Sequence, residues 1–234
     1  MTLDPSRRTM LAALAAAPLM AAAKPKAAPR LSANVSETGI GAYVAGNPDA
    51  KLRLVQYFSF TCGACGAFAA AADAPLKAGY IDRGLVAFEY RNLVRDPLDM
   101  TAALLARVGG PTAFPGHYRA IMAGQPQWLA GATKLPRAIQ EKWYEGSLSE
   151  RAARIARDSG LAALMRGRGV TAAQIDAGLA SEVAQAAVTA TTNLARGADR
   201  IHSTPGFLLQ GKQLEHVHDW AGVKSRLDQA LQAT

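Results

Sequence analysis

Alternating apolar and polar stretches divide the middle of the chain into short elements. Residues 52–58 are mostly apolar, β-branched or aromatic, which is typical of a buried strand, and they follow a turn-forming stretch at 46–49. Residues 63–74 are rich in alanine and predict a helix that Pro75 breaks or kinks. Residues 85–91 predict a second strand. A strand, a helix and a strand within about forty residues predict a parallel crossover unit and an α/β fold.

A helix-forming stretch follows the second strand. Asp96 predicts an N-cap and Pro97 a first helical position, and the sequence stays mostly helical to about residue 196. Glycines interrupt this stretch repeatedly and divide it into several short helices. We therefore expect residues 96–196 to form an inserted all-helical subdomain.

The last segment returns to strands. Residues 207–210 and 213–216 flank a turn predicted at Gly211 and Lys212, which indicates a hairpin. Asp219 then predicts the N-cap of a final helix that ends near residue 231.

The first residues have the pattern of an export signal. Arg7 and Arg8 precede an apolar stretch of about 14 residues, which ends in small side chains at residue 23. A membrane-spanning helix needs roughly 20 residues, so residues 1–23 predict a signal peptide, with a retained anchor as the alternative. The two arginines favour the twin-arginine route, and general secretion is the alternative. Residues 24–40 predict a flexible lead-in to an otherwise soluble exported protein.

Charge adds little to this picture. Half of the residues are apolar and the formal net charge is +8, but the basic residues are spread along the chain. A nucleic-acid-binding surface normally clusters its cations, so we expect no nucleic-acid partner. Arg151, Arg154 and Arg157 recur at helical spacing and indicate a solvated helix face.

Candidate chemistry lies between the first strand and the first helix. Cys62 and Cys65 are the only cysteines and are separated by two residues. A disulfide that closes so small a ring removes little entropy from the unfolded chain, so a structural staple is a weak interpretation. A structural zinc would need four ligands, two of them histidines drawn from His117, His202, His216 and His218. We expect no metal, because histidines on a hairpin edge are more often solvated.

A redox centre is the third interpretation and has a physical basis. Cys62 is predicted at a helix N-terminus, where free N–H groups and the helix dipole stabilise a thiolate and lower the thiol pKa. Cys65 follows one helical turn later, within bonding distance for a reversible disulfide.

Longer motifs carry a family resemblance. The segment GNPDAKLRLVQYFSFTCGACGAF, followed about 140 residues later by HSTPGFLLQGKQL, resembles the periplasmic thiol:disulfide interchange proteins of the DsbA type in the thioredoxin superfamily. The resemblance implies a thioredoxin fold, a central mixed sheet flanked by helices, formed by residues 41–95 and 197–234. It also implies that the helical stretch is an insertion into this fold.

The same resemblance implies site roles and partners. Cys62 would be the nucleophile, Cys65 its resolving partner, and the bond between Thr204 and Pro205 would be cis, so that Thr204 binds an extended substrate peptide. Reduced or misoxidised exported polypeptides would be the substrates of a monomeric enzyme. A membrane quinone-linked oxidase would restore the disulfide, and no metal or organic cofactor would be required.

Two departures from the family pattern affect the chemistry. The strong oxidants carry Pro-His between the cysteines, whereas Gly63 and Ala64 offer no imidazole, so we expect a couple less oxidising than about −120 mV. Gln56 stands where the family commonly has an acidic residue, and it cannot titrate. Glu89 on the second predicted strand is a candidate proton relay, although a structural ion pair with Arg91 is the more favoured interpretation.

The direction of the reaction stays open. The primary hypothesis is an oxidase that forms disulfides in exported proteins. Isomerase and reductase relatives share threonine before the proline, but the isomerases usually add an N-terminal dimerisation domain, for which the predicted lead-in is too short. A thioredoxin-fold chaperone or peptide-binding module is the hypothesis from a different class.

Overall fold

A mixed six-stranded sheet forms the centre of the molecule. The computed structural model describes residues 30–233. In this part of the chain the strands are β1 (Val35–Glu37), β2 (Tyr43–Ala45), β3 (Leu52–Phe58), β4 (Val86–Asn92), β5 (Gly206–Leu209) and β6 (Lys212–Gln213). Their order across the sheet is β1-β2-β4-β3-β5-β6. Only β3 and β4 are parallel, and the other pairs are antiparallel. The predicted mixed sheet with flanking helices is confirmed.

Ten α-helices flank this sheet within the described residues. They are α1 (Gly63–Leu76), α2 (Pro97–Ala106), α3 (Gly110–Ala123), α4 (Gln125–Thr133), α5 (Arg137–Glu141), α6 (Leu148–Asp158), α7 (Leu161–Gly167), α8 (Ala172–Ala180), α9 (Glu182–Arg196) and α10 (Trp220–Gln232). Helices α2–α9 all lie between β4 and β5 in the chain. Two predicted caps are confirmed, because Asp96 accepts a hydrogen bond from the Asp99 N–H and Asp219 accepts one from the Gly222 N–H.

The predicted crossover unit is present as β3, α1 and β4. Its first strand has the expected bounds, while its helix runs past the predicted end and contains Pro75. A π-helical turn at Lys77–Ile81 follows directly. A proline removes one backbone donor but has a φ angle near the helical value, so α1 continues past residue 74 and lacks only that one hydrogen bond.

The prediction of a flexible lead-in through residue 40 is wrong in its second half. Residues 35–37 form β1, which pairs antiparallel with β2. Three-residue strands have too few positions to show an alternating pattern, and pairing with the sheet stabilises them. The signal peptide at 1–23 and residues 24–29 of the lead-in lie outside the described residues.

The terminal hairpin is shorter than predicted. Gln210 and Gly211 have positive φ angles of 51° and 76° and form the turn, one position before the predicted turn. Strand β6 ends at Gln213, so His216 and His218 follow the strand and do not share a face of it. A two-residue turn with both φ angles positive matches the twist of paired strands, and this geometry determines the register.

The two faces of the sheet bury different sets of side chains. Leu54 and Phe58 of β3 point into the main core, which also contains both cysteines, whereas Val55 and Tyr57 point into a small second cluster. Successive side chains of a strand alternate between faces, so neighbouring positions of β4 divide in the same way. Among residues 30–233 no helix is long and apolar enough to span a membrane.

Candidate active site

Cys62 lies where β3 gives way to α1. It is the N-cap of the helix, with extended backbone angles of −94° and 115°, and its carbonyl oxygen accepts hydrogen bonds from the N–H groups of Cys65 and Gly66. No side chain caps this end of α1. The Cys62 sulfur therefore lies at the positive end of the helix dipole, as the sequence predicted. Both cysteines are free thiols in this structure, and their residues are 8% and 0% exposed.

The two thiols have opposite acidities. A hydrogen bond from the Cys65 thiol is the largest of the effects that lower the pKa of Cys62 to about 5, and the N–H groups of Cys65 and Ala64 add to it against the opposing effect of burial. Burial is the main reason that the pKa of Cys65 is raised, and the neighbouring Cys62 raises it further. The pair thus combines an acidic thiol at Cys62 with a thiol at Cys65 that holds its proton tightly.

The loop before β5 closes the site from the other side. The peptide bond between Thr204 and Pro205 is cis. The Cys62 thiol donates a hydrogen bond to the Thr204 carbonyl oxygen at 3.2 Å. Pro205 is buried, and its carbonyl oxygen lies 3.0 Å from His218 Nδ1. The structure therefore brings Cys62, Cys65, Thr204 and Pro205 together.

A glutamine of the helical insertion holds the cysteine loop. Gln125, the first residue of α4, is buried, and its Nε2 donates to the carbonyl oxygens of Phe60 at 2.6 Å and Cys62 at 2.9 Å. A Cβ atom at Gly66 would lie 2.5 Å from Gln125 Oε1, so this glycine permits the close approach. Sequence reasoning missed Gln125, because its neighbours Gly124 and Pro126 indicated only a break between helices.

A buried carboxylate anchors the same loop from α2. Asp99 Oδ1 accepts a hydrogen bond from the Phe60 N–H at 2.7 Å, and Oδ2 accepts one from the Arg95 N–H at 3.0 Å. Burial raises the pKa of Asp99 to about 7. Sequence reasoning missed this residue as well, since an acidic residue in a first helical turn is ordinary and nothing in the pattern shows that it is buried.

Gln56 lies on the cysteine side of the sheet. It alternates with Leu54 and Phe58, is fully buried, and accepts a hydrogen bond from the Tyr118 hydroxyl at 3.2 Å. Its Nε2 has no hydrogen-bond partner among residues 30–233. This position therefore supplies no titrating group to the site.

Glu89 lies on the face of the sheet opposite the cysteines, which favours the structural ion pair over the proton relay. It pairs in register with Val55, on the face opposite the main core. Two arginines donate to the Glu89 carboxylate, Arg91 through Nε at 2.6 Å and Arg53 through Nη1 at 3.0 Å. Glu89 is therefore held in a structural ion pair. Strand alternation put Arg91 on the same face correctly, but it could not show which face the cysteines use.

Comparisons with known proteins agree with this geometry. A family model described as "Thioredoxin" matches residues 38–229. The solved structure of a protein-disulfide isomerase from Novosphingobium aromaticivorans is similar with a TM-score of 0.78 and 34% identity, over 81% of this chain and 97% of that one. Wolbachia pipientis alpha-DsbA1 is similar in fold, with a TM-score of 0.60 and 17% identity over 81% of this chain and 90% of that one.

Curated relatives from several species of Rickettsia carry names that begin with "Putative protein-disulfide oxidoreductase". The relative from Rickettsia bellii is 26% identical over 190 residues, which are 81% of this chain and 64% of the relative. The relative from Rickettsia prowazekii is 27% identical over 189 residues, which are 80% of this chain and 61% of the relative. The chain thus spans less than two thirds of the length of these relatives.

Proposed function

The chain belongs to the thioredoxin family, and on this premise we propose that it is a protein thiol:disulfide oxidoreductase that forms disulfides in exported polypeptides. The observation that carries the proposal is the pairing of Cys62, whose pKa is lowered to about 5, with the buried Cys65, whose pKa is raised. A thiolate of low pKa is a good leaving group, so the reduced form is stable and the disulfide is readily passed on.

The proposed reaction is a two-step exchange. A substrate thiolate attacks the Cys62 sulfur of the oxidised protein, the bond between Cys62 and Cys65 breaks, and Cys65 takes up a proton. A second substrate thiolate then attacks the substrate sulfur of the mixed disulfide and releases Cys62 as a thiolate. The substrate loses two electrons and closes its disulfide, and the protein gains them as a dithiol.

Thr204 is the proposed docking point for the substrate chain. It precedes β5, and its carbonyl oxygen lies beside the Cys62 sulfur, so an extended peptide bound there would present a cysteine to Cys62. Main-chain hydrogen bonds supply affinity in this mode of strand addition, and they place no demand on substrate sequence.

Further parts of the proposal rest on the sequence patterns and on the family resemblance. Residues 1–23 direct export to the periplasm and are removed, and residues 96–196 act as an inserted helical subdomain. A membrane quinone-linked oxidase accepts the two electrons and restores the disulfide. The enzyme works as a monomer, without metal or organic cofactor.

Disulfide isomerisation is the second candidate function. The similarity to a solved structure described as a protein-disulfide isomerase, at 34% identity, favours it. An isomerase starts from the dithiol, and Cys62 as a thiolate would attack a wrong disulfide of the substrate.

Two assays separate these functions from simple peptide binding. We expect the oxidised protein to restore activity to a reduced, unfolded substrate, and Cys62→Ser to fail. With a substrate that already carries disulfides, Cys65→Ser should accumulate a mixed disulfide, because Cys62 attacks the substrate disulfide and no resolving thiol releases it. Reactivation of a scrambled substrate by the reduced protein would assign isomerisation instead. If wild type and Cys62→Ser restored the same substrate activity in both assays, the protein would be a peptide-binding module and not an enzyme.

A further inference from the structure

A groove lined by arginines runs from the Thr204 loop onto the helical insertion. Its first part, a recess of about 670 Å³, is bounded by residues 201–204 together with Arg95 and Arg196. Its second part, of about 280 Å³, shares Arg95 and Arg196 as walls and ends at Arg151 of α6. We call the two parts together the arginine groove.

The charge of the arginine groove is unbalanced. None of its three arginines forms an ion pair with a residue in the range 30–233. Asp96 is the one described carboxylate in its lining, and its oxygens already accept hydrogen bonds from the Asp99 N–H and the Thr61 hydroxyl. The groove therefore presents a net positive charge to whatever enters it.

Arg151 is the more unusual of these cations. Its Nε is buried and has no hydrogen-bond partner in the described chain, whereas Nη2 of Arg196 donates to the Val94 carbonyl oxygen at 2.9 Å. A buried donor without a partner costs free energy that an incoming acceptor would recover. Arg151 is therefore only partly solvated, because it is half-buried and lines the groove.

Apolar side chains line the same groove between the cations. Leu93 and Ile201 lie in the first part, and Met100, Leu148 and Ile155 in the second. A lining that contains both apolar and guanidinium groups fits an extended polypeptide better than a compact anion, since only a chain offers both kinds of side chain along its length.

We propose that the arginine groove binds acidic side chains that flank the reacting cysteine of a substrate polypeptide, and so gives the enzyme a preference for acidic substrates. The inference rests on the proposed function and names the substrate class of that site. Guanidinium groups match carboxylates in planar, two-pronged hydrogen bonds, and such pairs contribute to specificity as well as affinity. Thr204 holds the main chain of the substrate, and the arginines select among side chains.

The test uses three dithiol peptides of equal length that differ only in three residues beside one cysteine, as Glu, Gln or Lys. Each is made with these residues on the N-terminal or the C-terminal side. A single turnover with pre-oxidised full-length enzyme, in which the peptide closes its disulfide and the enzyme becomes the dithiol, gives the second-order rate constant that corresponds to kcat/KM. We expect the Glu peptide to exceed the Gln peptide by about three- to tenfold on one side, and the advantage to shrink with salt. The Lys peptide should be the slowest.

Arginine variants test whether the preference for the Glu peptide arises from the arginine groove. In Arg95→Gln/Arg196→Gln the ratio of the Glu to the Gln peptide should fall to near one, and Arg151→Gln should lower it in part. The control Arg83→Gln/Arg226→Gln removes the same charge from exposed arginines outside the groove, and should keep the wild-type ratio.

Two results would overturn the inference. One is equal kcat/KM for the Glu and Gln peptides with wild type. The other is an effect of the arginine substitutions that appears only when glutathione disulfide reoxidises the reduced enzyme, and not with any of the peptides. That result would assign the groove to a small carboxylate. Failure of the proposed function is distinct, because the Gln peptide would then not be oxidised at all.

Discussion

The Cys62 thiol lies 3.2 Å from the carbonyl oxygen of Thr204, although 142 residues separate the two in the chain. They meet because β3 and β5 pair antiparallel, with Tyr57 opposite Gly206, so the chain leaves β3 and enters β5 at the same end of the sheet. The redox thiol and the proposed docking point for the substrate are therefore fixed by one strand pairing.

The acidity of Cys62 gives the first prediction. Alkylation of the reduced protein by iodoacetamide should follow thiolate formation with a midpoint near pH 5, the value to which the pKa of Cys62 is lowered. Because the Cys65 thiol is the main cause, Cys65→Ala should move the midpoint upward, and Cys65→Ser, which keeps a donor, should move it less. A wild-type midpoint above pH 8 would contradict this account.

The second prediction concerns the reduction potential. The Cys62 pKa of about 5 lies between those of DsbA, about 3.5, and thioredoxin, about 7, so the potential should fall between about −120 and −270 mV. Ala64→His introduces an imidazole beside the thiolate and should make the couple more oxidising. Equilibration with glutathione buffers measures both proteins, and a wild-type potential as high as about −120 mV would be inconsistent with this interpretation.

The third prediction concerns the support of the cysteine loop. Gln125→Leu removes both hydrogen bonds from Nε2 and leaves the Phe60 carbonyl oxygen buried without this donor, so the free energy of unfolding should fall by about 1–3 kcal/mol. Gln127→Leu, on the exposed side of the same helix, is the control and should change stability little. Urea unfolding compares them, and equal stabilities for the two variants would show that Gln125 does not hold the loop.

The fourth prediction separates structure from catalysis at Glu89. Glu89→Gln weakens a fully buried group bonded to Arg91 and Arg53, and it should cost about 2–3 kcal/mol of stability. The pH profile of thiol exchange should stay the same, because Glu89 lies on the other face of the sheet. The control is Glu141→Gln, whose partner Arg137 is exposed, and its cost should be below about 1 kcal/mol. A shifted pH profile of thiol exchange in Glu89→Gln would support the proton-relay hypothesis instead.

The fifth prediction is a pH dependence of stability. Burial raises the pKa of Asp99 from 3.8 to about 7, so the folded state holds this proton more tightly than the unfolded state does. The free energy of unfolding should therefore fall as pH rises through that window, by at most about 1.4 kcal/mol per pH unit from this group.

The oxidised protein is the right sample for this measurement, because the lowered pKa of Cys62 in the reduced protein makes stability rise with pH from about 5 upward. Asp99→Asn should flatten the slope between pH 4 and 7, and Asp176→Asn, at an exposed position, should not. Parallel slopes in wild type and Asp99→Asn would exclude Asp99 as the source.

Local patterns were sufficient for much of the scaffold. The apolar run of β3, the alanine-rich α1 and the caps at Asp96 and Asp219 are encoded by neighbouring residues, and each begins where the sequence predicts it. The strands β1 and β2 escaped prediction, since each has only three residues and forms through pairing with the rest of the sheet.

By itself the sequence determined the redox pair, its position at a strand-to-helix junction and the direction of the Cys62 pKa shift, because these depend on a few adjacent residues. Tertiary structure alone decided that Gln125 and Asp99 hold the loop, that Glu89 faces away from it, and that three arginines share a groove. The physical reason is that burial and charge at these positions arise from contacts between segments that are distant in the chain. A strand pattern shows that side chains alternate between two faces, but it does not show which face the helices cover.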